Sequence, residues 1–183
     1  MNHQSFSLQP FPGTEKFPDV KIAGNITRNG NKLTIQYSLL GDIKEIAITP
    51  PSPIPLRKHE LWQNTCFEFF IGVRNSPQYW EFNLSPSGDW NIYCFDDYRQ
   101  GMEEETAFSR LPFIVQQQTE NVELTLDLDL DKIIGKEQAL EVAITTVIKT
   151  QDGDVTYWAL THRGDEADFH LRDSFILELP PAN

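Results

Sequence analysis

The chain has 183 residues, 39% hydrophobic and 23% charged, a composition typical of one globular domain rather than of a disordered chain. Lysine and arginine total 15 against 27 acidic residues, so the net charge of −12 argues against nucleic acid or an anionic membrane as a partner. No run of about 18 apolar residues and no basic leader followed by an apolar stretch occurs. We therefore expect a cytoplasmic protein that is not membrane-bound and folds as a single domain over residues 1–183.

The first third of the chain predicts a hairpin, a third strand and a loop. Residues 20–27 and 32–39 read as strands, and the Asn-Gly dipeptide between them favours a tight hairpin turn. Residues 43–49 predict the third strand. The prolines of residues 50–55 cannot donate the hydrogen bonds of a sheet, so this segment predicts a loop.

The middle of the chain predicts three adjacent strands at residues 65–73, 79–84 and 89–95, followed by a polar loop at 96–106. Alternation directs one set of side chains towards the core: Phe67, Phe69, Ile71, Trp80, Phe82, Leu84, Trp90, Ile92 and Cys94. The opposite face then carries Glu68, Tyr79, Glu81, Asn83, Asn91 and Tyr93. Carboxylates, amides and phenols side by side suit a polar ligand, although such residues on a strand also commonly face water.

The last third predicts strands at residues 122–131, 140–149, 155–160 and 174–179. The first alternates leucine or valine with polar, mostly acidic residues, which is typical of a half-buried strand with a solvated acidic face. About nine or ten strands without a strong helix predict an all-β protein. The predicted architecture is a two-sheet antiparallel β-sandwich of jelly-roll type.

Motifs of the common enzyme classes are absent. The sequence has no glycine-rich phosphate loop, no His-Glu-x-x-His pair and no Gly-x-Ser-x-Gly elbow. Cys66 and Cys94 lie in apolar runs without the spacing of a metal-binding or redox pair. We expect both cysteines to be reduced and buried.

Aromatic and polar residues in the loops offer the chemistry of a sugar site, because sugars present hydroxyls to polar groups and CH faces to flat rings. Trp62, Trp158 and Tyr98 are predicted at strand ends or in loops, where a ring could act as a platform. Arg99, in the mixed-charge segment 96–99, could bind a ligand or pair with a carboxylate of the polar face.

Two histidines, His162 and His170, bracket a glycine-containing segment, residues 163–169, which predicts a functional rim loop. Either histidine could ligate haem iron with Met102 as the second axial ligand, or both could simply be solvated.

Several segments carry a resemblance to a known family. They read LWQNTCFEFF at 61–70, YWEFNLSPSGDWN at 79–91 and FDDYR at 95–99, followed by TH at 161–162, DFH at 168–170 and DSF at 173–175. Together they resemble the DOMON-like domains related to the family 9 carbohydrate-binding module, over most of the chain from Leu61 onward.

The resemblance implies a β-sandwich that binds a sugar, often at a chain end between aromatic rings, or that binds b-type haem. Members are typically non-catalytic, and calcium is possible where relatives carry it. The leading hypothesis is a non-enzymatic domain that binds a small saccharide or a sugar chain end, without a cofactor and with Trp62, Trp90 or Tyr98 as the stacking ring. The predicted ligand-binding residues are Trp62, Glu68, Glu81, Asn83, Trp90, Tyr93, Asp96, Tyr98, Arg99 and His170.

Three alternatives stay open. A haem b or redox module would use Met102 and His170 as axial ligands. A glycan-processing enzyme would use Glu68 and Glu81 as acid and base. A domain that only binds a protein partner is the third.

Overall fold

Thirteen strands in two antiparallel sheets make up the computed structural model, which describes residues 2–181. The first sheet has the spatial order β1 (Asn2–Ser7), β3 (Val20–Asn29), β4 (Lys32–Gly41), β10 (Asn121–Asp129) and β9 (Phe113–Gln117). The second has the order β2 (Gln9–Pro10), β12 (Val155–Ala159), β11 (Leu140–Lys149), β5 (Cys66–Val73), β6 (Tyr79–Leu84), β7 (Trp90–Phe95) and β8 (Glu103–Glu104), and β13 (Leu177–Leu179) pairs with β11. The all-β sandwich prediction is confirmed.

Four short 3-10 helices complete the elements described: Ile43–Glu45, Leu61–Gln63, Leu130–Lys132 and Arg172–Ser174. Within residues 2–181 no helix has the length and apolarity needed to cross a membrane. Both cysteines are free thiols, as predicted, but only Cys66 is buried as expected, because Cys94 is partly exposed.

The predicted third strand at residues 43–49 is wrong. Gly41 ends β4 at φ 127°, where an added Cβ would lie 2.3 Å from the Asp19 carbonyl oxygen, so the chain turns out of the sheet. The 3-10 helix Ile43–Glu45 follows, and only Ile46 forms an isolated bridge, to Thr150. The short strands β1, β2, β8 and β9 were missed because they are too short or too irregular in alternation to stand out.

The core lies between the two sheets and contains the inward-facing residues predicted for β5, β6 and β7. Phe69 and Phe82 stack with their ring centroids 4.3 Å apart. Tyr37 crosses the core from β4, and its hydroxyl donates a 2.7 Å hydrogen bond to the backbone carbonyl of Glu68. This bond links the first sheet to the central strand β5 of the second.

The outer face of the second sheet is also covered. A second apolar cluster on that face comprises Phe70, Tyr79, Tyr93, Phe95, Ala143 and Phe175, with Trp62 and Phe169 packed against it. The cover comes from the 3-10 helix Leu61–Gln63 and from residues 161–176, named the covering segment below. Because both faces are buried, polar side chains of β5 and β6 that would otherwise be solvated lie in a water-poor space.

Arg172 anchors the covering segment to the sheet. Its guanidinium donates to the carbonyl of Val73 at 2.8 Å and forms an ion pair with Glu141 at 2.9 Å. An added Cβ at Gly72 would lie 2.1 Å from this guanidinium, so the absence of a side chain at Gly72 provides the space that Arg172 occupies.

Replacing Phe69 with alanine tests the packing between the sheets. We expect Phe69→Ala to lower the free energy of unfolding by about 3–5 kcal/mol, because the lost stacking leaves a cavity between the sheets. Denaturant unfolding measures this change. Ile114→Ala, at a side chain that is 63% exposed on β9, is the control and is expected to stay within about 0.5 kcal/mol of the wild type. Equal effects of the two substitutions would contradict the assigned core.

Candidate functional site

A cavity of about 390 Å³, named the outer-face cavity, lies between the second sheet and its cover. Its volume falls within the range typical of small-molecule sites, about 300–1,000 Å³. The aromatic residues that line it are Trp62, Phe70, Phe95, Tyr157 and Phe169. The charged or titratable ones are Glu68, Glu81, Arg99 and His170, and the remainder are Met102, Val147 and Ala167.

Strand register brings the polar residues of the cavity together. Glu68 of β5 lies opposite Asn83 of β6 on one side and Thr145 of β11 on the other. Glu81 lies opposite Phe70, two positions along β6 from Asn83. Glu68 and Glu81 are thus diagonal neighbours on one face of the sheet, as strand alternation predicted.

The two carboxyl groups are both buried, but they differ in their hydrogen bonds. Glu68 is 2% exposed and Glu81 is 5% exposed. Glu81 Oε1 accepts a 2.9 Å hydrogen bond from Asn83 Nδ2, whereas Glu68 Oε1 and the Thr145 hydroxyl have no hydrogen-bond partner. A buried polar group without a partner of standard geometry is costly, and Glu68 is the one of these two residues that lines the cavity, so its Oε1 marks a place for a ligand to bind.

Burial also changes the ionisation of the pair. Desolvation, followed by repulsion from Glu81, raises the pKa of Glu68 well above its usual range. Desolvation raises the pKa of Glu81 to about 7, against a smaller lowering by the Asn83 hydrogen bond. Protonated carboxyl groups therefore persist in the cavity near neutral pH, and a protonated carboxyl can donate as well as accept a hydrogen bond.

His170 closes one side of the cavity as a neutral imidazole. Its ring packs edge-on against Phe70 and Phe95, at centroid distances of 5.2 and 5.1 Å, and burial lowers its pKa to about 4. The Tyr79 hydroxyl lies 2.8 Å from His170 Nδ1 and accepts a hydrogen bond from the backbone NH of Arg99. The other ring nitrogen of His170, Nε2, lies 3.8 Å from Glu81 Oε2.

Arg99 reaches the cavity from the turn after β7 and pairs with the covering segment. Its guanidinium donates to Asp168 Oδ1 at 2.8 Å, and the Tyr98 hydroxyl donates to Asp168 Oδ2. Although burial alone would raise the pKa of Asp168, these two donors lower it below its usual range. Arg99 has a φ of 53°, which is unusual outside glycine, and such local strain is common at binding sites.

Trp62 forms the opposite wall. It lies in the 3-10 helix Leu61–Gln63, directly after Glu60, which has a left-handed φ of 58°. The Trp62 ring contacts Tyr93 edge-on at a centroid distance of 5.9 Å. Trp62 is half-buried, so one ring surface remains available to the cavity.

The structure brings five of the ten predicted ligand-binding residues to the cavity lining: Trp62, Glu68, Glu81, Arg99 and His170. Asn83 and Tyr93 lie just behind, bonded to Glu81 and packed against Trp62 respectively. Tyr98 lies outside the lining and holds Asp168. Asp96 is exposed in the turn that presents Arg99, where it packs against Gly101.

Two predicted aromatic platforms are wrong. Trp90 is 3% exposed in the core between the sheets, and the Arg57 guanidinium lies 4.2 Å from its ring centre. Trp158 is equally buried in the same core, with its indole NH donating to Thr156. Alternation along β7 already directs Trp90 inward, so its position in the family motif reflects packing.

Four aromatic lining residues were missed as site residues. Phe70 and Phe95 lie on the outer face by the same alternation that places Glu68 there, so the register of β5 and β7 could have identified them. Tyr157 and Phe169 contact each other at a centroid distance of 5.9 Å. They come from β12 and from the covering segment, and only the tertiary fold brings them to the cavity.

Of the residues considered for haem, Met102 and His170 both line the cavity, but His162 does not. His162 Nε2 lies 2.9 Å from the Gln9 carbonyl, and its ring packs edge-on against Phe11. Within the part of the chain that the structure describes, no cluster of three or more His, Cys, Asp and Glu side chains could hold a metal ion.

A larger depression of about 880 Å³ lies at the end of β4, beside residues 118–121. Its lining side chains are exposed except for the half-buried Asn121. The depression is therefore an open surface feature, and the outer-face cavity is the better candidate for a specific site.

Comparison with solved structures identifies proteins of similar fold. A crystal structure from Bacteroides uniformis ATCC 8492, of a protein to which carbohydrate binding is provisionally assigned, aligns with a TM-score of 0.67 and 12% identity over 96% of this chain and 84% of that chain. A family 9 carbohydrate-binding module from Caldicellulosiruptor kristjanssonii aligns with a TM-score of 0.48 and 9% identity, both in complex with cellotriose (79% of this chain, 67% of that chain) and with glucose (84% and 83%).

The first of these likenesses shows a shared sandwich fold and, at this identity, nothing further. Neither a family model nor a curated protein sequence matches the chain. The resemblance to DOMON-like domains accordingly stays a prediction.

Replacing Glu81 with glutamine tests the ionisation of the buried pair. The folded-state pKa of Glu81, about 7, exceeds the usual 4.5, so its contribution to stability is present at low pH and is lost as the pH rises through 7. Between about pH 5 and pH 8 we expect the wild type to lose on the order of 2–3 kcal/mol more than Glu81→Gln. Urea unfolding at each pH gives the difference.

His170 opposes this trend in both proteins, because its lowered pKa makes stability rise between about pH 4 and its usual value of 6.5. Its effect therefore cancels when the two proteins are compared. Glu123→Gln, at an exposed carboxylate on β10, is the control and should follow the wild type. Parallel pH profiles for wild type and Glu81→Gln would contradict a raised pKa at Glu81.

Proposed function

We propose that this protein is a non-enzymatic domain that binds a carbohydrate in the outer-face cavity. The observation that carries the proposal is the unpartnered, buried Glu68 Oε1 within a cavity walled by aromatic rings. Sugar hydroxyls supply hydrogen bonds to such an atom, while sugar CH faces pack on rings. The Bacteroides protein that shares the fold has carbohydrate binding provisionally assigned to it, which supports the same class of ligand.

Each wall has a distinct role in this proposal. Trp62 provides the stacking surface at the rim, since it is the half-buried member of the four tryptophans. Glu68 and Glu81 meet the sugar hydroxyls at the base. Arg99 and Asp168 hold the covering segment in place beside the ligand.

The placement of the carboxyl groups favours binding over glycoside cleavage. A glycosidase positions one carboxyl as acid and the other as nucleophile or base around the scissile bond. Here Glu68 and Glu81 extend from neighbouring strands into the same base of the cavity. Both would therefore approach a bound sugar from the same side.

The haem alternative rests on Met102 and His170, which share the cavity. The remaining donors fit that group less well, because Glu68 and Glu81 would place two buried carboxyl groups against an apolar macrocycle. These residues are better suited to the hydroxyls of a sugar.

Tryptophan fluorescence tests the proposal directly, because Trp80, Trp90 and Trp158 are each at most 5% exposed and Trp62 is left to report on the cavity. We expect saturable quenching or a blue shift on titration with a panel of mono- and disaccharides. Trp62→Phe is expected to remove the signal and to keep binding by calorimetry, since a flat ring remains. Trp62→Ala is expected to weaken binding by about tenfold or more, because base or sugar stacking on an aromatic ring is worth about 1–3 kcal/mol.

Phe17→Ala is the matched control, since Phe17 is a half-exposed aromatic residue outside the cavity lining. Because Phe17 packs edge-on against Trp158, the starting fluorescence can differ, but the ligand-induced change and the affinity should stay as in the wild type. Absence of binding by every saccharide, with a response to added haemin, would replace the proposal with the haem module.

A further inference from the structure

The outer-face cavity contains two buried carboxyl groups, and neither forms an ion pair with a lysine or arginine side chain within residues 2–181. Among the described residues, the only basic nitrogen within 4.0 Å of Glu68 or Glu81 is His170 Nε2, 3.8 Å from Glu81, and burial keeps this imidazole neutral at pH 7. Arg99 also lines the cavity, but its guanidinium is paired with Asp168 at 2.8 Å. Two buried carboxyl groups therefore share a cavity without a cationic partner of their own.

The walls around these carboxyl groups also suit a cation. Trp62, Phe70, Phe95, Tyr157 and Phe169 line the cavity with aromatic rings. The face of an aromatic ring attracts a positively charged nitrogen, most strongly where water is excluded. Rings at the walls and carboxyl groups at the base together form the surroundings that an organic ammonium group prefers.

A neutral sugar would satisfy Glu68 Oε1 with a hydroxyl but would bring no positive charge to compensate the pair if it ionised. The buried carboxyl groups could then remain only by retaining protons. A ligand ammonium resolves both problems, because it donates up to three hydrogen bonds and supplies the missing positive charge.

We propose that the preferred ligand is an amino sugar, with its ammonium group bound between Glu68 and Glu81 and its ring against the aromatic walls. This inference rests on the proposed function and specifies its class of ligand. The ammonium replaces a proton that the empty cavity holds, so the protein releases a proton to solvent when the ligand binds.

The other titratable groups around the pair do not contribute to this proton release. The pKa values of Tyr79 and Tyr93 are raised to about 12, and that of His170 is lowered to about 4. The pKa of Asp168 is lowered by its partners, and those of Arg99 and the buried Cys66 are raised. Proton release near pH 6.5 therefore comes from the glutamate pair.

Isothermal titration calorimetry at about pH 6.5 tests the inference. The amino sugars are glucosamine and galactosamine, and the neutral sugars are glucose, galactose and N-acetylglucosamine. Each titration is repeated in two buffers of different ionisation enthalpy, which gives the number of protons released. We expect each amino sugar to bind about tenfold or more tightly than its neutral counterpart, because the hydrogen bonds become charge-assisted. We expect up to about one proton to be released with amino sugars and none with neutral sugars.

Glu68→Gln keeps the shape of the cavity and removes one charge. It is expected to lower the affinity for glucosamine more than the affinity for glucose, so that their ratio approaches one. Glu123→Gln, an exposed change on β10, should leave the ratio unchanged. Thermal unfolding of both variants establishes that they are folded.

Equal affinity for amino and neutral sugars without proton release would overturn the ammonium site and leave the proposed sugar-binding function in place. A ratio that Glu68→Gln does not change would also overturn it, because the preference would then come from another part of the surface. Absence of binding by all five sugars would overturn the proposed function and this inference together.

Discussion

The outer face of the second sheet carries polar side chains at alternating strand positions, and other segments of the chain cover it. The chemistry of the site depends on this burial. Along β5 and β6 the inward residues form the sandwich core, so alternation directs Glu68, Glu81 and Asn83 outward. Cover from Trp62 and residues 161–176 then removes water from them. Each polar group must find a partner or hold a proton, and Glu68 Oε1 is a cavity-lining atom that forms no hydrogen bond of standard geometry.

The cover is held by specific electrostatic contacts rather than by apolar packing alone. Arg172 binds the carbonyl of Val73 and the carboxylate of Glu141 above Gly72, which fixes the end of the segment nearest β11. Arg99 pairs with Asp168 of the same segment, from a turn with a strained backbone. Two ion pairs therefore position the aromatic walls over the carboxyl groups, and the loss of either one would admit water to the cavity and lower the raised pKa of the pair.

Strand alternation explains what could be predicted from the sequence and where prediction stopped. It correctly assigned Glu68, Glu81 and Asn83 to one face, and it also assigned Trp90 to the core, against the motif that suggested a stacking ring. Alternation cannot say whether an outward face is solvated or covered, because that depends on a distant segment folding back. Tyr157 and Phe169 illustrate this limit, since a loop far along the chain brings Phe169 to the cavity.

The buried glutamate pair also argues that the cavity is more than a by-product of packing. Apolar residues of similar volume in place of buried charges commonly leave stability unchanged or raise it. If the floor of the cavity had only a structural role, leucine or phenylalanine at these two positions would therefore give a more stable domain. The neighbouring Phe70 shows that this face of β5 accommodates a large apolar side chain. The proposed function accounts for carboxyl groups at Glu68 and Glu81, since ligand binding would offset their cost in stability.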